Sequence, residues 1–311
     1  MSTANFSTYD QVGKVEDVSD VITNLSPTKT PFQSMIGTET VHNTLYEWQE
    51  DSLIAAGANA AIEGATAPTA TMNPTVMRSN YTQILTKTAQ ATDTSAAVRA
   101  WGRDNELAYQ KGLRSLELKR DLEYAFVGSH QAAVAGNSST TARKFANYQP
   151  MVDPTVTYTV NGTGGVLNSG VGSPTAAAIR EDCITTTLQQ LYIDGAEPDT
   201  LMVTPATKPV ISALAHSNRT VMVDNGDRKL TNTIDVYDSD FGPIKFVINR
   251  FLVTGDALLF EAPMWKRAVL RNWQTVQLAK TGDSTNVQIK GEFGLIHKNF
   301  LASGLITNLN T

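Results

Sequence analysis

The segment IAAGANAAIEGATAPTATMNP, Ile54 to Pro74, is Ala, Gly, Thr and Asn almost throughout, and Glu63 is its only charged residue. Connections in compact domains average about 4 to 6 residues, so a stretch this long without structure of its own is uncommon. A floppy surface loop is one reading. Segments that stay disordered, however, usually carry high charge and few apolar residues. This one is nearly uncharged, and its small side chains suit lying flat against another surface. The better reading is an arm that projects from its domain and becomes ordered on a partner.

On either side of the arm the chain is extended. Tyr46 and Trp48 alternate with Glu47 and Gln49, the two-residue period of a strand. Thr75 to Thr88 is a second extended run, carrying Val76, Tyr81, Ile84 and Leu85. Paired, the two runs make a long hairpin. Upstream, Val15, Val18, Val21, Ile22 and Leu25 recur at helical steps until Ser26-Pro27, because the residue before a proline is pushed out of the helical region. Downstream, Trp101 to about Val127 is free of proline and rich in Leu, Lys, Arg and Glu, which predicts a long helix. Leu107, Leu118, Leu122 and Ala125 fall on one side of it and Tyr109, Leu113 and Leu116 nearly opposite, so the helix is expected between two layers. Lys119 and Glu123 form an i,i+4 pair that reads as a solvated edge.

Asn137 to Gly172 is punctuated by Gly and Ser and reads as a domain boundary or elaborated loop, with Thr155 to Val160 a short strand. A helix follows, with Ser173 as N-cap, Pro174 at its first position, Ile184, Leu188 and Leu191 on its buried face, and Gly195 at a left-handed cap. Leu201 to Val203 reads as a buried strand and Thr207 to Ala215 as a second helix. Strands are expected at Ile244 to Ile248, Ala257 to Phe260, Arg267 to Leu270 and Thr275 to Leu278. The clearest strand comes last: Val287, Ile289, Phe293 and Leu295 point one way, and Gln288, Lys290 and Glu292 the other.

Composition narrows the function. With 25 Lys+Arg against 30 Asp+Glu in 311 residues, the net charge is -5. That balance argues against a protein whose main task is gripping nucleic acid. Cys183 is the single cysteine, and His42, His130, His216 and His297 are scattered, so no structural zinc or other metal site is expected. No signal peptide and no membrane contact are expected, since no apolar run approaches about 18 residues. The glycines from Gly162 to Gly172 match neither a dinucleotide fingerprint nor a Walker loop, which leaves no cofactor site. Ser26 to Lys29, Ser239-Asp240-Phe241 and Lys280-Thr281-Gly282 echo the three elements of penicillin-interacting serine enzymes. The first needs a helix, which Pro27 and Pro31 deny. Asp238 and Asp240 precede Gly242-Pro243 and read as a turn rather than a cation site. Cys183, on an apolar helix face, reads as a small buried hydrophobe, and the four Trp as packing residues. No catalytic residue is assigned.

Arm, hairpin, two-striped helix, a helix-and-strand region and closing strands together give an α+β chain that resembles the major capsid proteins of tailed bacteriophages, the Hong Kong 97 type of fold. The resemblance rests on Asp20-Val21-Ile22, Thr30-Pro31-Phe32-Gln33-Ser34-Met35-Ile36-Gly37, Glu63-Gly64, Glu106 to Gln110, Leu116 to Glu123, Val236 to Gly242, Asn249-Arg250-Phe251 and Leu278 to Ser284. It covers most of the chain and weakens between Val134 and Gly172. It implies an N-terminal arm (1–40), an extended-loop hairpin (41–90), a peripheral domain (91–150 and 273–311) with a spine helix, and an axial domain (151–272). The implied function is self-assembly, through pentamers and hexamers, into an icosahedral head around phage double-stranded DNA, without enzymatic turnover. The implied location is the virion, assembled in the host bacterial cytoplasm. Partners so implied are other copies of the chain, scaffold, portal and decoration proteins, and packaged DNA held non-specifically. Expected contacts between subunits are Pro31, Phe32, Trp48, Glu63, Arg78, Arg114 and Arg120. Some relatives weld neighbours through a lysine on the extended loop; here none occurs between Lys29 and Lys87, so a noncovalent shell is expected. A phage surface-binding or decoration protein and a serine acyl-transfer enzyme are the alternatives.

Overall fold

A computed structural model describes residues 24–67, 69–98, 104–162, 164–167, 174–214, 236–280 and 282–310. In chain order the helices are α1 (Pro31–Met35), α2 (Asp93–Ala97), α3 (Glu106–Val127), α4 (Glu181–Ile193) and α5 (Thr207–Leu214). The strands are β1 (Gly37–Thr40), β2 (Leu45–Glu50), β3 (Val76–Tyr81), β4 (Gln83–Thr92), β5 (Thr157–Asn161), β6 (Gly164–Leu167), β7 (Thr200–Val203), β8 (Val236–Ser239), β9 (Gly242–Ile248), β10 (Ala257–Phe260), β11 (Trp265–Gln277), β12 (Ser284–His297) and β13 (Gly304–Thr307). They form a four-stranded sheet, β1-β11-β12-β4, a seven-stranded sheet, β6-β5-β13-β10-β7-β9-β8, and the two-stranded ribbon β2-β3. The helical pattern from Val15 lies almost wholly outside the described residues, as do Trp101 and Ser173.

The long helix begins at Glu106 rather than at Trp101. The Asn105 side chain accepts from the Ala108 amide at 3.0 Å, the N-cap bond that fixes a helix start. Leu118, Leu122, Ala125, Phe126 and Val127 are buried, each large apolar one contributing about 1.5 to 3 kcal/mol. This face packs on β4 and β12. On the opposite stripe Leu113 is half-buried and Leu116 is 47% exposed, so among the described residues the second layer expected there covers the stripe only in part.

Helix α4 starts seven residues later than the Ser-Pro signal suggests. Ala177 bridges Leu309, and its carbonyl accepts from the Asn310 amide at 2.9 Å, so the backbone after Pro174 is committed to the C-terminal segment. Its far end follows expectation. Gly195 takes φ +90, and the Ala196 amide closes on the Leu191 carbonyl at 2.8 Å, a left-handed cap. Ile184, Leu188 and Leu191 are buried as read.

The two short strands expected at Arg267 and Thr275 are one strand, β11, paired with β12 through register shifts around Arg271. The expected border at residues 272 and 273 falls inside it. Strand β13, placed by sequence with the peripheral residues, lies between β5 and β10 in the seven-stranded sheet. Nor is Asn137 to Gly172 only boundary material: Phe145, Tyr148, Met151 and Val156 are buried within it. The main core runs through both sheets, and a smaller cluster of Val41, Tyr46, Ala268 and Ile296 lies beside it. At its centre Phe32 meets Phe126, Phe260 and Trp265, with ring centroids 6.0, 5.6 and 5.7 Å away.

Candidate functional site

The β2-β3 ribbon stands at the edge of the four-stranded sheet and carries the arm at its tip. Its register runs from Leu45 opposite Tyr81 to Glu50 opposite Val76. The expected second run is two strands, broken at Thr82. The ribbon's root is tightly held. The Tyr46 hydroxyl and Asn80 Nδ2 both donate to the Leu295 carbonyl, each at 2.8 Å. Near the tip, Arg78 pairs with Glu50 at 2.8 Å and lies 4.2 Å over the Phe300 ring. Glu50 also accepts from the Phe300 amide at 3.0 Å.

Beyond Glu50 this anchorage stops. Every described residue from Asp51 to Thr75 is exposed, and apart from a turn at Glu63-Gly64 the segment has no regular structure. Leu53 is 96%, Ile62 84% and Met72 83% exposed. Large apolar side chains are thus exposed together on a segment whose only charged residues are Asp51 and Glu63, the kind of patch that marks an interaction site.

The residues expected to touch neighbours divide sharply. Glu63 is exposed at the tip. Arg114 lies on α3 and pairs with Glu117 at 2.7 Å. Arg120 is half-buried, with its Nε enclosed and unpartnered. Trp48 stacks on Tyr46 with centroids 6.1 Å apart and also meets Phe300. Arg78 is engaged within the ribbon, and Pro31 is half-buried at the start of α1. Phe32 is a correction: it is fully buried in its own core, so it has no surface left for a second chain.

Two carboxylates missed by sequence tie distant segments together. Glu123, read as a solvated edge, is fully buried. It accepts from the Phe32 and Gln33 amides at 2.8 and 2.9 Å and from Asn249 Nδ2 at 2.8 Å. Burial pushes its carboxyl above the usual range, against those donors. It pins the N-terminal arm, α3 and the end of β9 at one point. Glu292, read as pointing away from the face of Phe293 and Leu295, is also buried. Arg143 and Arg271 flank it.

Among the described residues, no bond joins the three elements of the serine-enzyme echo. The Ser26 hydroxyl donates to Asn24, that of Ser239 to the Gly242 carbonyl in the β8-β9 turn, and Lys280 pairs with Asp93. The stretch before α1 is not helical. Cys183 is buried, and burial pushes its thiol up. A cleft of about 670 Å³ lies beside His130, Thr159, Asp256 and Asn308. Asp256 accepts there from the Tyr148 hydroxyl and contacts His130 Nε2. Among the described residues, no group of three or more His, Cys, Asp and Glu is placed to hold a metal.

A ribbon-borne arm, a long helix against a four-stranded sheet, and a separate larger sheet sharing its core together define a capsid subunit of the Hong Kong 97 type. The comparison with known families agrees. Residues 2–310 match the SU10 major capsid protein family, and the chain belongs to it. The major capsid protein of Escherichia phage Phieco32 is 32% identical over 337 residues, covering 97% of this chain and 96% of that one. The capsid of the cyanophage P-SCSP1u has the same fold, with a TM-score of 0.61 at 11% identity over 96% of this chain and 93% of that one. The SrpI encapsulin of Synechococcus elongatus also reaches 0.61, at 9% identity over 95% and 93%. The chain is a phage major capsid protein, a component of the virion shell.

Proposed function

We propose that each copy of this chain lays its arm, residues 51–75, across a neighbouring copy, and that the open stripe of α3 around Leu113 and Leu116 is covered in the shell. One observation carries this: the arm places Leu53, Ile62 and Met72 in water, 96%, 84% and 83% exposed, with none of the described residues covering them. Contacts of this kind join different patches on the two partners, so they are heterologous and must curve into closure. Five- and six-membered rings then build an icosahedral head around double-stranded DNA, in the cytoplasm of the host. Obligate interfaces bury about 2,000 to 5,000 Å² per pair, and many of them together hold a shell without chemical turnover.

The shell is noncovalent on this reading, since the arm offers no lysine. Scaffold, portal and decoration proteins are its further partners, and the net charge of -5 suits a wall that holds DNA only loosely. For the domains, the sheets support a peripheral unit of β1, β4, β11, β12 and α3, and an axial unit of the seven strands with α4 and α5. The test is excision of residues 55–73, followed by electron microscopy. Loss of closed particles with the subunit still folded is expected; normal heads would refute the reading. Particles boiled in detergent should run as single chains, and a ladder of linked oligomers would exclude a noncovalent shell.

A further inference from the structure

The ribbon that carries the arm is held at its root by one polar cluster. Thr82, where β3 gives way to β4, donates its hydroxyl to Glu292 Oε1 at 2.7 Å, and its carbonyl accepts from Arg143 Nε, also at 2.7 Å. Glu292 is buried between the guanidinium groups of Arg143 and Arg271, with Arg271 Nε at 2.9 Å. Asn80 repeats the pattern with backbone. It donates to the Leu295 and Ala146 carbonyls and accepts from the Ala146 amide at 2.7 Å. Residues 131–147 thus form a strap over the root, closed on itself by the Val134–Lys144 bridge.

A two-stranded ribbon is marginal alone in water, so its direction is set where it is bolted down. Charge-assisted bonds are short and directional, and a buried carboxylate that loses a partner is costly. The strap, the sheet and the ribbon therefore hold one relative orientation. From Glu50 to Glu63 the chain reaches at most about 45 Å. At that reach a tilt of about 5° at the root displaces the tip by roughly 4 Å, a whole side-chain contact.

We propose that Glu292, with Arg143 and Thr82, aims the arm: these positioning residues fix the angle at which the ribbon leaves the sheet, and with it the curvature one copy imposes on the next. The proposal rests on the reading of the arm as a contact to a neighbouring copy. Two variants test it. Thr82→Val removes the hydroxyl and leaves the Arg143–Glu292–Arg271 triad intact; Glu292→Gln keeps the shape and removes the charge. Hydrogen exchange on unassembled subunits should rise at least tenfold at the amides of residues 80–82 and 144–147 and stay unchanged in β10. Since Glu292 keeps both guanidinium partners, the thermal midpoint of Thr82→Val should fall by no more than about ten degrees. Its particles, measured by cryo-electron microscopy, should broaden in diameter or remain open. Heads of parental diameter, or a root whose exchange does not change, would overturn the aiming role. Excision of residues 55–73 separates the two ideas: closed heads without the arm refute the arm reading itself, whatever Thr82→Val does.

Discussion

Acid should weaken this subunit through one buried histidine. His297 lies at the end of β12, stacked on Trp265 with centroids 3.9 Å apart and planes 7° from parallel. Its Nδ1 donates to the Met151 carbonyl at 2.7 Å, which leaves Nε2 to accept from the Ser303 hydroxyl at 3.0 Å. Ser303 Oγ in turn accepts from Trp265 Nε1 at 2.9 Å. A second ring proton would abolish the acceptor that Ser303 needs, and burial, outweighing the Met151 hydrogen bond, pushes the imidazole down from 6.5 to about 3. The unfolded chain therefore binds the proton first. Stability is complete above pH 6.5, falls by about 1.4 kcal/mol per pH unit below it, and levels off near pH 3. By pH 4 the loss from this group is roughly 3 kcal/mol, a large share of the 5 to 15 kcal/mol typical of a folded domain. Glu123 and Asp256 act in the opposite direction, since burial raises both carboxyls, so the total pH dependence does not isolate the histidine. Comparison with His297→Asn does, because the carboxylates are common to both chains. Urea midpoints of dissociated subunits between pH 7 and 4 should show the variant weaker at neutral pH and the gap narrowing by about 3 kcal/mol on acidification. A gap that stays constant would refute the reasoning.

Gly294 lies beneath Tyr46, and a Cβ there would come within 2.3 Å of the Tyr46 hydroxyl oxygen. Gly294→Ala should cost about 1 to 3 kcal/mol of subunit stability by overpacking, with faster hydrogen exchange in β2 and β3. The raised carboxyl of Glu123 contributes stability that is present below its ordinary value of 4.5 and is lost as pH rises through its folded value. Relative to Glu123→Gln, the parent chain should therefore gain stability as pH falls towards 4.5, read by thermal unfolding. Leu116→Glu, on the open stripe of α3, should change subunit stability by less than about 0.5 kcal/mol and block assembly in light scattering; closed particles would show that the stripe is not an interface.

Regular periods were legible in sequence, and long-range polar bonds were not. The alternation from Val287 to Leu295 placed β12 because a strand with one covered face repeats every two residues. It could not show that Glu292, on the other face, is roofed by residues 131–147, since that strap has no period. Glu123 looked like half of a surface pair because Lys119 stands one turn away; its true partners are backbone amides some 90 residues earlier. The arm was readable from composition alone. Helix α4 was misplaced at its start because a bridge to Leu309 overrides a locally sound Ser-Pro signal. The resemblance makes Phe32 a contact residue, whereas its burial depends on Phe126, Phe260 and Trp265, distributed across the chain.

Strand β1, from the beginning of the chain, runs parallel to β11, and β13, from its end, runs parallel to β5. Tension applied at either end of the molecule is thus carried as shear, with several hydrogen bonds strained at once instead of parting one by one. A shell wall pulled in its own plane loads its tiles from the side, and a tile stitched at both ends in this way resists that pull through its own ladders.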